Sequence, residues 1–367
     1  MKTNKLLFLG VLGLMSLIGN AQVVNQSNPS GTSVGSGAGT STVASGSTYY
    51  GYQAGNASST TTANLRNSFF GDQAGKTNST GSNNTYVGYS SGLGIATATG
   101  NSYFGSYSGN NNQGGSNTGV GYNSLSTYTA VSAFGNTALG TGAGTSMASG
   151  NYNVFVGQSA GAYANGSNNV LIGNLAGFSP YPGHAMAVGS GNVLIGNSVG
   201  NTMGLNNKLF IDNTNTATPL IWGDFTSTSR QVKLNGKTGI GFGTLTTFPT
   251  MAGSVNVSGY NLFVTGGILT EEIRVNLKNT TTGLWADYVF NKDYDLKPLA
   301  QVEEYIAANG HLQNVPSAQQ VKEDGIELGE MAKIQQEKIE ELTLYLIQQN
   351  KAIEELKAQV KVLSERK

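Results

Sequence analysis

Apolar positions along the first half of this chain come in short clusters, each closed by a glycine. Asn153-Val154-Phe155-Val156-Gly157-Gln158-Ser159-Ala160-Gly161 is followed by Asn169-Val170-Leu171-Ile172-Gly173-Asn174-Leu175-Ala176-Gly177. Taking the middle glycine as anchor, copies stand at Gly51, Gly71, Gly88, Gly105, Gly121, Gly140, Gly157, Gly173 and Gly196, spaced 20, 17, 17, 16, 19, 17, 16 and 23 residues apart. Four positions before the anchor stands Asn67, Asn84, Asn101, Asn117, Asn136, Asn153, Asn169 or Asn192, with Ser47 in the first copy. The residue before the anchor is always apolar, and the third residue after it is Ala or Ser except for Val199. Glycine recurs four after the anchor in every copy but one, which has Leu125.

Self-similarity at this period predicts a parallel β-solenoid, or β-roll, with one coil per copy. The residues ahead of each anchor form a short strand whose side chains alternate between its two faces. The anchor glycine takes a turn conformation that a Cβ would penalise. The residue just before the anchor, such as Val156 or Ile172, is expected inside, with the Thr, Ser or Val two places earlier. That puts Tyr49, Phe69, Tyr86, Tyr103, Phe155, Leu171 and Leu194 outside, in a row broken by Gly119 and Ala138. A long exposed apolar row marks an interface. Tyr49, Phe69, Tyr86, Tyr103 and Phe155 are therefore the candidate interface or ligand surface, either between subunits or as an aromatic platform for a receptor or glycan. The eight asparagines are expected to stack at ~4.8 Å and hydrogen-bond as a structural ladder. Nine coils give a rod roughly 43 Å long.

The pattern changes at Lys208. Short strands are expected at 209–212, 220–223, 232–236 and 261–267, then a mixed segment with a helix over 299–308. At the end, Ile339, Leu342, Leu346, Gln349, Ile353, Leu356, Val360 and Leu363 alternate spacings of 3 and 4, the seam of a coiled coil. Branched residues at a with Leu at d favour a dimer in isolation, whereas the polar Gln349 suits a register-setting position. The fold class expected is mainly β. A signal peptide (1–21) and a low-complexity Gly/Ser/Thr segment (22–46) precede the solenoid head (47–207). A β-rich neck (208–270), a small α+β segment (271–326) and an α-helical coiled coil (327–367) follow.

Composition narrows the chemistry. The chain has 367 residues, 52 of them glycine, with 11% charged residues, no cysteine and zero formal net charge. Glycine without a three-residue period excludes collagen, and neutrality gives no reason to expect nucleic-acid binding. Lys2 and Lys5, the apolar run from Leu6 to Ile18 and Gly19-Asn20-Ala21 read as an export signal. The mature chain is expected to begin near Gln22, at the cell surface or outside the cell. Between Gln22 and Asn207 only Arg66, Asp72 and Lys76 are charged and His184 is the sole histidine. The head therefore lacks the paired carboxylates of acid–base enzymes. Calcium-binding β-rolls need aspartate in each coil, and only Asp72 follows an anchor. His184 and His311 are too few for zinc, and no lysine or helix accompanies the glycines as a phosphate loop requires. No catalytic residue, metal or cofactor is expected, and the protein is read as a non-enzyme.

The Asn-apolar-Gly phrase over residues 47–204 is similar to the head repeats of trimeric autotransporter adhesins, with longer coils and Asn where that family leads with Ser. ADYVFNKDYDLKPL, followed by GHLQNVPS, GIELGEM and EKIEELTLYLIQQNKAIEELK, resembles the C-terminal region of tail-fibre-like surface proteins of Bacteroidota, over residues 266–360. Gln313 stands where that family shows proline. These resemblances imply an exported fibrous protein and a homotrimer. They also imply adhesion by a multivalent head to a glycan, matrix or cell-surface ligand, the alternative being a structural fibre or spacer in a surface or phage-tail-like assembly. The sequence carries no barrel-forming strands, so an outer-membrane or assembly partner is the expected anchor.

Overall fold

The computed structural model describes residues 31–39, 46–57, 65–128, 132–147, 149–179, 188–201, 204–226, 228, 230–243, 247–276 and 285–366. The export signal at 1–21, most of segment 22–46, and His184 lie outside the described residues. The chain forms two compact units, divided between Gly236 and Lys237.

The first unit is a parallel β-solenoid. Its sheet has thirteen strands lying side by side in sequence order. The first eleven pair in parallel: β1 (Thr32–Val34), β2 (Thr48–Tyr50), β3 (Ser68–Phe70), β4 (Thr85–Val87), β5 (Ser102–Phe104), β6 (Thr118–Val120), β7 (Thr137–Leu139), β8 (Val154–Val156), β9 (Val170–Ile172), β10 (Val193–Ile195) and β11 (Lys208–Ile211). β12 (Ile221–Asp224) and β13 (Gln231–Leu234) add on antiparallel. Parallel neighbours need a crossover of about a dozen residues, and the rest of each coil supplies it. The sheet is longer at both ends than the glycine spacing predicts. β1 and Gly35 form a rung inside the segment read as low complexity, and β11 to β13 continue the sheet into the expected neck.

The strands face the opposite way from the expectation. Tyr49, Phe69, Tyr86, Tyr103, Phe155, Leu171 and Leu194 are fully buried, while Tyr50, Phe70, Phe104 and Leu139 are 57%, 42%, 41% and 51% exposed. Alternation alone does not decide between the two readings, because the last two positions of each strand are both mostly apolar. Two features do. The buried asparagine and the residue two after it share a strand face, so an inward ladder carries Tyr49 and its equivalents inward. The glycine after the turn leaves room for that ring: a Cβ on Gly109 would lie 2.2 Å from Tyr103, and one on Gly161 2.2 Å from Phe155. In the coil with Gly119 in the ring position, Leu125 replaces that glycine and is itself fully buried. The rings of Tyr49, Phe69, Tyr86 and Tyr103 stack at 5.1, 4.7 and 5.4 Å. Burial pushes the Tyr86 and Tyr103 hydroxyls well above the ordinary tyrosine pKa, so both remain neutral.

The asparagines tie each coil to the next by two bonds. Asn101 Oδ1 accepts the backbone N–H of Asn117 at 2.8 Å, and Asn101 Nδ2 donates to the Gly114 carbonyl at 3.0 Å. Asn84 makes the equivalent bonds to Asn101 and Ala98, and Asn153 to Asn169 and Gly166. Asn67, Asn117, Asn136, Asn169 and Asn192 follow the same scheme. All eight are fully buried. The ladder thus satisfies backbone groups at a corner where the strand pairing has ended. The anchor glycines form a second column: a Cβ on Gly157 would sit 2.5 Å from the Gly173 carbonyl oxygen, so coils could not stack with any side chain there.

The second unit begins with β14 (Thr238–Ile240), parallel to β17 (Leu262–Val264), and the hairpin of β15 (Met251–Ala252) and β16 (Val255–Asn256). Phe242, Phe248 and Phe263 cluster beside them, with centroids 5.1 to 6.2 Å apart. A 3-10 helix (Ala286–Phe290) precedes α1 (Leu299–Asn309), α2 (Ala318–Asp324) and α3 (Leu328–Ser364). Ser317 and Gln320 close α2 with a capping box, and Gly310 ends α1 in a left-handed turn. No described helix is long and apolar enough to cross a membrane.

Candidate interaction surface

With the rings inside, the outward face of the solenoid strands belongs to the first and third residue of each. The third residues form the outward apolar row that the sequence reading assigned to their neighbours: Tyr50, Phe70, Phe104, Val120, Leu139 and Ile172 are exposed, and Val87, Val156 and Ile195 among them are half-buried. The first residues change character along the axis. They are hydroxyl-bearing from Thr48 to Thr137 and valine at Val154, Val170 and Val193. The N-terminal rungs therefore present hydroxyls beside aromatic and aliphatic side chains, with Tyr50 and Phe70 stacked at 6.4 Å. The C-terminal rungs present only aliphatic side chains. An apolar strip this continuous is a feature of interfaces.

Past the anchor turn lies a second exposed row. Tyr52, Tyr89 and Tyr122 are 49%, 43% and 56% exposed. Tyr107 sits between the last two, 5.2 Å from Tyr89 and 6.1 Å from Tyr122, edge to face with both. A hydrogen bond with Tyr89 raises the Tyr107 hydroxyl above its ordinary pKa. Neither row was identified from the sequence, because the inverted face directed attention to the buried rings.

Comparison with family models, curated proteins and solved structures finds no match. The surfaces must therefore be read from their own chemistry. Among the described residues no group of three or more His, Cys, Asp or Glu side chains could hold a metal ion. The charged residues of the solenoid coils before Lys208 are Arg66, Asp72 and Lys76. Further on, Asp224 accepts from Thr226 and Lys208, which together hold its carboxyl down at about 2. It braces β11 against β12.

In the second unit the polar residues of α3 are used internally. The hydroxyl of Tyr288 donates to Glu337 and that of Tyr294 to Glu341. Lys338 Nζ bonds both carboxylates, at 2.8 and 2.9 Å, and Tyr345 donates to the Lys297 carbonyl at 2.6 Å. Burial pushes the Glu337 carboxyl up, but hydrogen bonds from Lys338, Tyr288 and Asn314 outweigh it and hold the group below its usual range. Burial pushes Lys338 down, but its bonds to Glu337 and Glu341 outweigh that and raise it. These contacts clamp the segment around the 3-10 helix to one side of α3. The heptad seam is left bare: Ile339, Leu342, Leu346, Ile353, Leu356, Val360 and Leu363 are 48% to 63% exposed, and Gln349 is exposed among them.

Proposed function

We propose that this chain is an exported fibrous adhesin of the cell surface, acting as a homotrimer whose solenoid heads engage a surface, matrix or cell ligand multivalently. The observation that carries the reading is the pair of bare apolar tracks, the outward strand row and the α3 seam, which a solvated single chain would leave in water. Closed cyclic association of copies covers both, and three heads on one stalk multiply weak ligand contacts into avidity. No catalytic role is assigned, and anchoring is assigned to an outer-membrane or assembly partner. The uniform coil-to-coil construction also fits a passive spacer in a larger assembly.

Sedimentation of the full chain tests association. A trimer mass is expected; replacing outward Val156 and Ile172 together by Lys should lower it while the β-sheet spectrum persists. Replacing inward Leu171 by Lys should instead unfold the head. A wild-type monomer at micromolar concentration refutes the reading. Retention on cells or matrix supports adhesion, and a trimer that binds neither favours the spacer.

A further inference from the structure

We propose that the corner carrying Tyr89, Tyr107 and Tyr122 binds a neutral saccharide chain laid along the solenoid axis across three consecutive coils. This rests on the adhesin reading and supplies its ligand class and contact residues.

Tyr89 and Tyr122 are exposed and Tyr107 between them is half-buried, so the rings are accessible yet held. Tyr107 meets each neighbour edge to face, at 83° and 86°, so each ring limits the movement of the next. Their backbone is fixed as well: Tyr107 N donates to the Tyr89 carbonyl at 2.9 Å, and Asn123 N to that of Ser106 at 2.9 Å. Tyr107 and Asn123 both stand in the left-handed region at φ 58°, held there by the turn that every coil repeats. Rigid tyrosines supply large amphipathic contact area at small entropic cost, and Ser and Asn beside them supply adaptable hydrogen bonds.

Charge selects the ligand. The coils that carry Tyr89, Tyr107 and Tyr122 have no acidic or basic side chain; the nearest charge in this turn column is Asp72, exposed one coil before Tyr89. A sulfated, carboxylated or phosphorylated ligand would be desolvated against this corner with no countercharge. A cationic peptide would find one carboxylate, Asp72, at the edge of the row and none beside Tyr107 or Tyr122. A neutral sugar chain offers what the corner can match: C–H faces for the rings, and hydroxyls for tyrosine, serine and asparagine. A second copy of the chain is better matched to the strand rows, whose C-terminal rungs at Val154–Val156, Val170–Ile172 and Val193–Ile195 present only aliphatic side chains outward.

The test uses the full chain and titration calorimetry with cellohexaose, chitohexaose and maltohexaose, and a hyaluronan octasaccharide as the charged counterpart. At least one neutral hexasaccharide is expected to bind, and hyaluronan more weakly. Tyr89→Ala and Tyr122→Ala should each weaken binding roughly 3- to 10-fold. Adding Tyr107→Asn, which keeps a residue tolerant of the left-handed turn, should abolish it. Tyr152→Ala, 66% exposed elsewhere on the head, should change nothing. Native mass and circular dichroism confirm that each variant is folded. Binding unaffected by the triple substitution overturns the site. Failure of all three neutral probes, or preference for hyaluronan, overturns the ligand class; if the chain still adheres to cells, the adhesin reading survives. Loss of adhesion to every surface would overturn both.

Discussion

Replacing Asn101 by alanine should cost the head about 2–6 kcal/mol. Asn101 is fully buried, and its side chain accepts from Asn117 N at 2.8 Å and donates to the Gly114 carbonyl at 3.0 Å. Alanine removes both partners and leaves one N–H and one C=O in an interior closed to water. Each such group costs about 1–3 kcal/mol. The protein contains its own intermediate case. In the first aligned coil Ser47 stands at the ladder position, and its Oγ accepts the Asn67 N–H at 3.0 Å. Asn101→Ser should therefore keep the acceptor, lose the bond to Gly114, and cost about half as much. Asn101→Asp keeps the acceptor but buries an unpaired charge, so it should be no better than alanine. Denaturant melts at one protomer concentration give the order, since association would otherwise shift the midpoint. Coils of a solenoid can unfold separately, so exchange of the Asn117 amide should accompany the melts and rise most in the alanine variant. A loss below ~1 kcal/mol for alanine, or a serine variant as weak as alanine, would refute the ladder as a source of stability.

Two further outcomes follow from the packing. Leu125→Gly should lose about 2–5 kcal/mol by emptying a filled core position, and Gly119→Phe should destabilise by overpacking, because a Cβ there already meets Ser108, Ser124 and Tyr103 at 2.9 to 3.1 Å; an unchanged denaturant midpoint in either variant would contradict the packing. The α3 clamp should hold best between its two titrations. The depressed Glu337 contributes above the ordinary carboxylate pKa and is lost as pH falls below about 4, while the raised Lys338 contributes below the ordinary lysine value and is lost above about 10; Tyr288→Phe should flatten the acid limb of the melting profile, and an unchanged limb would remove Glu337 from the account.

The coil period and the buried asparagines were legible because a solenoid imposes the same steric demands at each turn. The anchor column can accept nothing larger than glycine, and the ladder accepts Asn or a shortened substitute such as Ser47. Strand facing was misread because Tyr49 and Tyr50, or Phe69 and Phe70, are equally apolar. Parity with the asparagines, and the paired exception of Gly119 with Leu125, held the information needed to orient them. The rung at Thr32–Val34 escaped notice because its coil leads with Gly31 and carries Ser33 where others carry rings. The apolar heptad positions along α3 were plain in the sequence. The Tyr89–Tyr107–Tyr122 row was not, because Tyr107 lies one residue later in its coil than its neighbours do, and only the turn brings the rings together.

The ladder also makes the head a ruler with a fixed graduation. Each asparagine reaches forward to the N–H at the next ladder position, Lys208 in the case of Asn192, and to the carbonyl three residues before it. Excising residues 153–168, one coil between asparagines 16 residues apart, would set Asn136 against Asn169 with Gly150 still three residues ahead. Every type of bond would be kept, and the rod would shorten by about 4.8 Å. Removing eight residues instead would leave an orphaned rung. The solenoid can therefore change length in whole coils at little cost and in fractions of a coil only by breaking the stack, so its span is a quantity that duplication and deletion can set in steps.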